Sequence, residues 1–260
     1  MREKYLVRGK GFVGDRLIKM GGEYLPRNWE GHFETVIYTA GYGNYYDQKD
    51  VYETYRVNVL EPLKLIQNCE NFVYISTSSV LLPVQTSYSH SKKTMEEILE
   101  NYENAVVIRP SSITGVGEQG KHLIPTLIRS CLYSEKMPFV SEPTHDFIDI
   151  EDFCRGLLYV SENIDQYKGK SLNLSSGINY SNQEVKEIVE GVTGKKANVK
   201  LVESMRKYDT DKWIVKPDLH FAKKTLYQSI SEMYEAENIR NCYIKRTQPH
   251  FKLYIGFAYL

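Results

Sequence analysis

The chain predicts an α/β fold built on a doubly wound parallel sheet. Two observations carry that prediction. Short apolar runs alternate with longer amphipathic segments through most of its 260 residues. A glycine turn, Gly9-Lys10-Gly11-Phe12-Val13-Gly14, stands between the first apolar run, Tyr5-Leu6-Val7, and the first amphipathic segment, which carries Leu17, Ile18 and Met20. This is G-x-G-x-x-G in the strand–turn–helix setting that the motif requires. Its glycines allow a tight turn and a close approach of backbone N–H groups to a pyrophosphate, and the positive helix end adds attraction. Taken alone, the motif also fits an ordinary strand–helix turn.

The elements follow in order. A short strand near Glu23 to Leu25 is followed by a strand over Thr35 to Thr39, a helix over Tyr52 to Cys69 and a strand over Phe72 to Ser76. Tyr88 to Tyr102 reads as a helix, Ala105 to Ile108 as a strand, and Leu123 to Tyr133 and Ile150 to Glu162 as helices. Ser171 to Leu174 is a strand, and Asn182 to Thr193 a helix with Ser181 as its N-cap. One departure stands out. Only about 26 residues separate Gly14 from Ala40, whereas a βαβ unit alone takes roughly 30. A full dinucleotide-binding half needs a second helix and a third strand here, so the fold is expected to be trimmed after the first helix.

The chemistry centres on Tyr88-Ser89-His90-Ser91-Lys92. A Tyr and a Lys four apart share one helix face. The Lys charge favours the phenolate and lowers the Tyr pKa toward working pH, which makes a general acid or base. A hydroxyl from Ser76-Thr77-Ser78-Ser79 can hold a substrate oxygen against it. Surface decoration of a helix is the alternative for the pair alone.

Composition fits an enzyme with a real core. Hydrophobic residues make up 42%, and 33 charges of each sign leave no overall field, so nothing suggests a nucleic-acid or membrane-surface protein. The cysteines Cys69, Cys131, Cys154 and Cys242 are scattered, as expected of free thiols in a reducing, cytoplasmic setting, and no metal site is expected. The N-terminus enters a strand directly, so no signal peptide is expected. No apolar run nears the ~18 residues of a membrane span. The apolar tail Phe251 to Leu260 reads as a strand or a docking segment.

Several ordered motifs carry a more specific likeness: Gly9 to Gly14, Tyr38-Thr39-Ala40-Gly41, Asn58-Val59-Leu60, Val73 to Thr77, Tyr88 with Lys92, Arg109 to Gly115, and Asp146 to Asp152. Over about residues 5 to 230 the chain resembles the extended short-chain dehydrogenase/reductase family, the NAD(P)-dependent nucleotide-sugar epimerases, dehydratases and reductases. The resemblance implies a Rossmann-like core over about residues 1–111 and 146–175. It implies a small discontinuous substrate lobe over about 112–145 and 176–230, and leaves 231–260 unplaced. It gives Tyr88 the acid/base role, Thr77 the substrate hydroxyl, and Lys92 the nicotinamide ribose. Gly9, Lys10, Gly11, Phe12, Val13, Gly14, Ala40, Gly41, Pro110 and Ser111 would line the cofactor, with Asn58 in a mainly structural place. Asp149 and Asp152 are expected to be structural caps.

The departures narrow the reaction. The dehydratases of the family carry an Asp-Glu pair where this chain has Ser78 and Ser79, which speaks against dehydration. His122 resembles a proton-donating His of epimerase-reductases, but their partner Cys aligns with Ser79. A 4-epimerase or a 4-keto-sugar reductase remains, with Ser78, Ser79, Ser112 and His145 on the substrate side. Ser112 and His145 stand where many members have an Asn and an Arg near the diphosphate; Lys121, Arg129, Arg206 and Lys207 are candidate substitutes. No acidic residue is evident where a ribose 2′-hydroxyl would be held. Lys10 and Arg27 could instead face a 2′-phosphate, which favours NADP over NAD; solvated surface charges are the alternative. A reductase of a non-sugar carbonyl compound and a non-catalytic dinucleotide sensor remain as other readings. The resemblance also implies a homodimer built on the helices carrying Asn58 and Tyr88.

Overall fold

The computed structural model describes residues 5–44, 50–118, 122–141, 144–203 and 216–247. Its centre is a six-stranded parallel sheet in the order β2-β1-β3-β4-β5-β9. These strands are β1 (Tyr5–Arg8), β2 (Glu23–Tyr24), β3 (Phe33–Tyr38), β4 (Cys69–Ile75), β5 (Ala105–Pro110) and β9 (Ser171–Leu174). Successive side chains of the central strands serve opposite faces. Val73, Ile75, Val106 and Ile108 join one core with α1 (Phe12–Lys19) and α6 (Ile150–Glu162). Phe72, Tyr74, Ala105 and Val107 join the other core, under α3 (Glu61–Ile66) and α4 (Ser87–Leu99). Burial on both faces explains why these strands read as continuous apolar runs.

The expected trimming is present. β2 has two residues, and the chain runs from Leu25 to β3 without a helix. Leu25, Trp29 and Phe33 pack into the core beneath α3 instead. The Trp29 ring meets Phe33 edge-on at 5.9 Å and lies 5.7 Å from the Lys64 ammonium.

The helix expected over Tyr52 to Cys69 is broken. It consists of α2 (Val51–Tyr55), a π-helical turn (Arg56–Leu60) and α3, which ends at Ile66; Cys69 already belongs to β4. Pro62 in the first turn of α3 supplies the cause: it has no N–H for the carbonyl of Asn58 four residues earlier, and its ring crowds that carbonyl.

A lobe packs at the carboxyl edge of the sheet. It contains β6 (Ser112–Thr114), α5 (Leu123–Tyr133), β7 (Met137–Phe139), β8 (Thr144–Asp149), β10 (Asn179–Ser181), α7 (Asn182–Thr193) and β11 (Val199–Leu201). β8 lies between β10 and β6, and β7 pairs with β11. The structure adds a 22-residue helix, α8 (Leu226–Thr247), which the sequence reading does not contain. Leu226, Ile230 and Met233 insert into the core shared by α5 and α7. Asp149 caps α6 by accepting from Glu151 N (2.9 Å) and also accepts from Ser229 Oγ (2.8 Å), tying α8 to the sheet. Asp152 accepts from the backbone of Lys223 and Lys224 (2.8 Å each). The apolar tail beyond Thr247 lies outside the described residues.

Candidate active site

The glycine turn is built as the motif requires. Gly9 has φ +134°, and a side chain there would meet Thr39 Oγ1 at 2.5 Å and Ala40 N at 2.7 Å. At Gly14 a Cβ would lie 2.1 Å from the Gly9 carbonyl. These two glycines let α1 and β3 close on the turn. Gly11 is different: nothing stands within 4 Å of its would-be Cβ, and as the N-cap of α1 it makes no side-chain cap. The first N–H groups of the helix are therefore left for an anion. Phe12 closes the far side, its ring 3.7 Å from a Cβ at Gly117, and Val13 packs on the sheet core. Lys10 lies over the Tyr24 ring at 4.2 Å, at the end of β2, and Arg27 is exposed on the turn that follows.

The second half of the site comes from β4 and α4. Thr77 starts the 3-10 turn after β4, where its hydroxyl accepts from Ser79 N (3.2 Å) and meets Ser79 Oγ (3.0 Å). Ser78 and Ser79 are buried in that turn. Gln85 holds the turn through the Val80 carbonyl (3.3 Å). Thr86 caps α4 in a reciprocal box with Ser89, which fixes where Tyr88 begins its turn. Lys92, one turn on, is buried, and its Nζ donates to the Ile75 carbonyl at 2.8 Å.

The electrostatics differ from the sequence expectation. Burial raises the Tyr88 pKa, and only the hydrogen bond with Thr77 pulls it down. Burial lowers Lys92 to about 7, with Glu96 opposing. An ammonium that gives up its proton near neutrality cannot hold the phenol ionised, so the pair rests as phenol beside a titrating amine. Glu96, the next residue on the same helix face, is bound by Arg109 of β5 through Nε–Oε1 (3.1 Å) and Nε–Oε2 (3.0 Å).

Asn58 sits buried in the π turn. Its Oδ1 accepts from Tyr42 N (3.0 Å), and its Nδ2 donates to Tyr42 O (3.1 Å) and Ser91 Oγ (2.9 Å). Ser91 Oγ donates to the Tyr88 carbonyl (2.7 Å). Asn58 therefore ties the loop after Ala40 and Gly41 to the helix bearing Tyr88 and Lys92. A Cβ at Gly41 would sit 3.9 Å from Lys92 Nζ. Pro110 ends β5, and Ser111 N reaches the Leu174 carbonyl (3.3 Å).

Two hydroxyls at this edge, Ser76 Oγ and Ser111 Oγ, are buried without a hydrogen-bond partner. Unpaired buried hydroxyls at the carboxyl ends of β4 and β5, on the same edge of the parallel sheet as the glycine turn after β1, fit a bound dinucleotide with a polar ring substituent. When bound, such a cofactor supplies hydride chemistry.

The lobe residues are spread more widely. Ser112 is exposed on β6. His145 on β8 is driven by burial down to about 4, so it is neutral at pH 7 and offers no positive charge to a diphosphate. Arg129 reaches Glu135 (3.5 Å). Lys121, Arg206 and Lys207 lie outside the described residues. His122 caps α5 and is bound to Glu118 (2.8 Å), whose carboxylate raises its pKa; Glu118 also accepts from Thr114 (2.8 Å). The sequence reading missed Tyr24, Tyr74, Ser91, Glu96 and Arg109. Ser91, Tyr74 and Arg109 lie within motifs, the Tyr–Lys pentapeptide, Val73 to Thr77 and Arg109 to Gly115, whereas Tyr24 and Glu96 carry no such signal.

Among the described residues no cluster suited to a metal ion occurs, and no helix is long and apolar enough to cross a membrane. A comparison with curated protein sequences finds no match. Solved structures share the fold. MoeE5 in complex with UDP-glucose and NAD superposes with a TM-score of 0.77 at 18% identity, covering 92% of this chain and 99% of that one. UDP-glucose 4-epimerase from Thermus thermophilus, in complex with NAD, gives 0.76 at 16% identity, covering 90% and 99%. RMD from Pseudomonas aeruginosa complexed with NADPH gives 0.72 at 19% identity, covering 91% and 99%. Fold and family sequence pattern together define a nicotinamide dinucleotide-dependent enzyme of the extended short-chain dehydrogenase/reductase type. The sequence pattern of the NAD dependent epimerase/dehydratase family matches residues 30–175, more than half of the chain, and the chain belongs to that family.

Proposed function

We propose that the enzyme is a nucleotide-sugar 4-epimerase or 4-keto-sugar reductase, with Tyr88 as its acid/base. The observation that carries this reading is the assembly of Thr77, at the turn after β4, with Tyr88 and buried Lys92 on α4, at the carboxyl edge of the sheet; Thr77 is the group that lowers the Tyr88 pKa. Tyr88 moves the proton at the substrate C4 oxygen, Thr77 holds that oxygen, and Lys92 holds the ribose beside the reacting ring. Burial raises the Tyr88 pKa, so the resting phenol carries the proton that the reduction of a C4 carbonyl would take up. Lys10 and Arg27 near the end of β2 favour NADP, with NAD as the alternative. His122, bound to Glu118 in the lobe, is the candidate second proton donor. The enzyme is proposed to be cytoplasmic and homodimeric.

A second reading, reduction of a carbonyl compound other than a nucleotide sugar, is favoured by the residue that stands where the resemblance implies a diphosphate-binding Arg: His145, whose burial disfavours its charged form. The intact Thr77, Tyr88 and Lys92 weigh against a sensor without catalysis.

Calorimetric titration with NADPH, NADP, NADH and NAD tests the cofactor, and oxidation of NADPH by 4-keto nucleotide sugars tests the reaction. Tyr88→Phe should keep micromolar cofactor binding and lower turnover by ~100-fold or more. If none of the four dinucleotides binds, the catalytic reading of Thr77, Tyr88 and Lys92 is withdrawn. Turnover only with simple ketones selects the second reading.

A further inference from the structure

The π turn of Arg56–Leu60 leaves carbonyls to be satisfied. Glu61 N–H turns to the Arg56 carbonyl, five residues back, instead of to Val57, and Pro62 has no N–H for Asn58. Two tyrosines that face each other across β3 and β4 take them. Tyr38 OH donates to Val57 O (2.6 Å), and Tyr74 OH donates to Asn58 O (2.8 Å). Both rings are fully buried and stack with centroids 6.0 Å apart. Tyr74 does more: the Lys92 ammonium lies 4.6 Å from its ring centroid.

A phenol is a costly group to bury, and a Phe would pack the same core. The hydroxyls are explained by the turn they hold. A π turn rotates everything after it relative to an α-helix, and here it aims the Asn58 side chain at Tyr42 and Ser91. We propose that Tyr74 is a positioning residue of the active site, its hydroxyl fixing Asn58 in the π turn and its ring holding Lys92. This rests on the reading of Tyr88 and Lys92 as the catalytic pair. One side chain thereby sets both the loop after Gly41 and the amine beneath Tyr88. The titratable and charged groups that act on Lys92 are Tyr74 from β4 and Glu96 from its own helix, with Glu96 engaged by Arg109 from β5; Tyr88 shares its helix face one turn earlier.

Two variants separate the two contacts. Tyr74→Phe keeps the ring and releases the Asn58 carbonyl. It should speed hydrogen exchange of the Tyr42 amide about fivefold and weaken NADPH binding about fivefold, leaving the Lys92 titration in place. Tyr74→Leu removes the ring as well. It should lower the Lys92 midpoint by about half a pH unit, read from the 13C shift of the lysine ε-carbon and assigned with Lys92→Arg. A folded Tyr74→Phe with unchanged Tyr42 exchange, or a folded Tyr74→Leu with an unchanged Lys92 midpoint, overturns the proposal. Neither of those readouts needs cofactor. If the wild type binds no dinucleotide, the catalytic reading fails separately, while exchange and titration still decide whether Tyr74 holds Asn58 and Lys92.

Discussion

Lys92 is buried with no carboxylate of its own, because Glu96, the carboxylate that acts on it, is bound by Arg109. Desolvation therefore dominates, and the amine loses its proton near 7 instead of the usual 10.5. Between those values the unfolded chain binds a proton that the folded chain does not, so this residue makes stability rise with pH from about 7. Below that range both states are protonated, and the full burden of the buried charge falls on the folded state. Lys92→Met removes the titration. In denaturant unfolding at pH 6, 8 and 9.5, the wild type should gain on Lys92→Met at a slope approaching ~1.4 kcal/mol per pH unit. Parallel profiles would mean that Lys92 keeps its ordinary pKa. That Tyr88 and Lys92 share one face of α4 was legible from a spacing of four. The direction of their titration was not, because burial is a property of the packed sheet and helix.

The glycine turn shows what an element can reveal about itself. G-x-G-x-x-G between an apolar run and an amphipathic segment was readable, and the structure separates its glycines by role. Gly14 touches the Gly9 backbone, which cannot give way, whereas the Cβ position of Gly11 opens to empty space with ordinary dihedrals, φ −86° and ψ −167°. Gly14→Ala should destabilise the fold by roughly 2 kcal/mol or more, read by denaturant unfolding. Gly11→Ala should leave stability within about 0.5 kcal/mol and weaken dinucleotide binding about tenfold, because the new methyl occupies the place where a pyrophosphate meets the turn. Equal loss of stability in both variants would refute that division of roles. The break in the helix before β4 was harder to see. Pro62 is visible in the sequence, but its effect depends on Tyr38 and Tyr74 reaching across from two strands. Helix α8 escaped for a related reason: Leu226, Ile230 and Met233 form a narrow stripe in a polar segment, and its apolar face is defined only by α5 and α7.

At the scale of the molecule, the trimming was legible as missing length, since a chain cannot build two helices and two strands in the residues available before Ala40. What replaced them was not legible. Trp29, with Leu25 and Phe33, covers the core under α3 from a connection that carries no periodicity. The outer side of the α2–α3 segment is an exposed apolar surface near the site. Tyr52 is 70% exposed and Leu60 55%, with Val51 also exposed, although the segment packs its inner side on the helix bearing Tyr88 and Lys92. Large apolar side chains grouped on one surface element are the usual mark of a protein interface. A second copy is the partner that the family resemblance implies, and a stable homodimer buries on the order of 1,600 Å² or more. Light scattering at micromolar concentration should give twice the chain's 30.2 kDa for the wild type. Tyr52→Glu with Leu60→Glu should halve it, because two carboxylates on each copy would be buried unpaired. A wild-type monomer at that concentration would remove the dimer from the proposal and leave this surface without an occupant. A dimer unaffected by the double substitution would move the interface to another face.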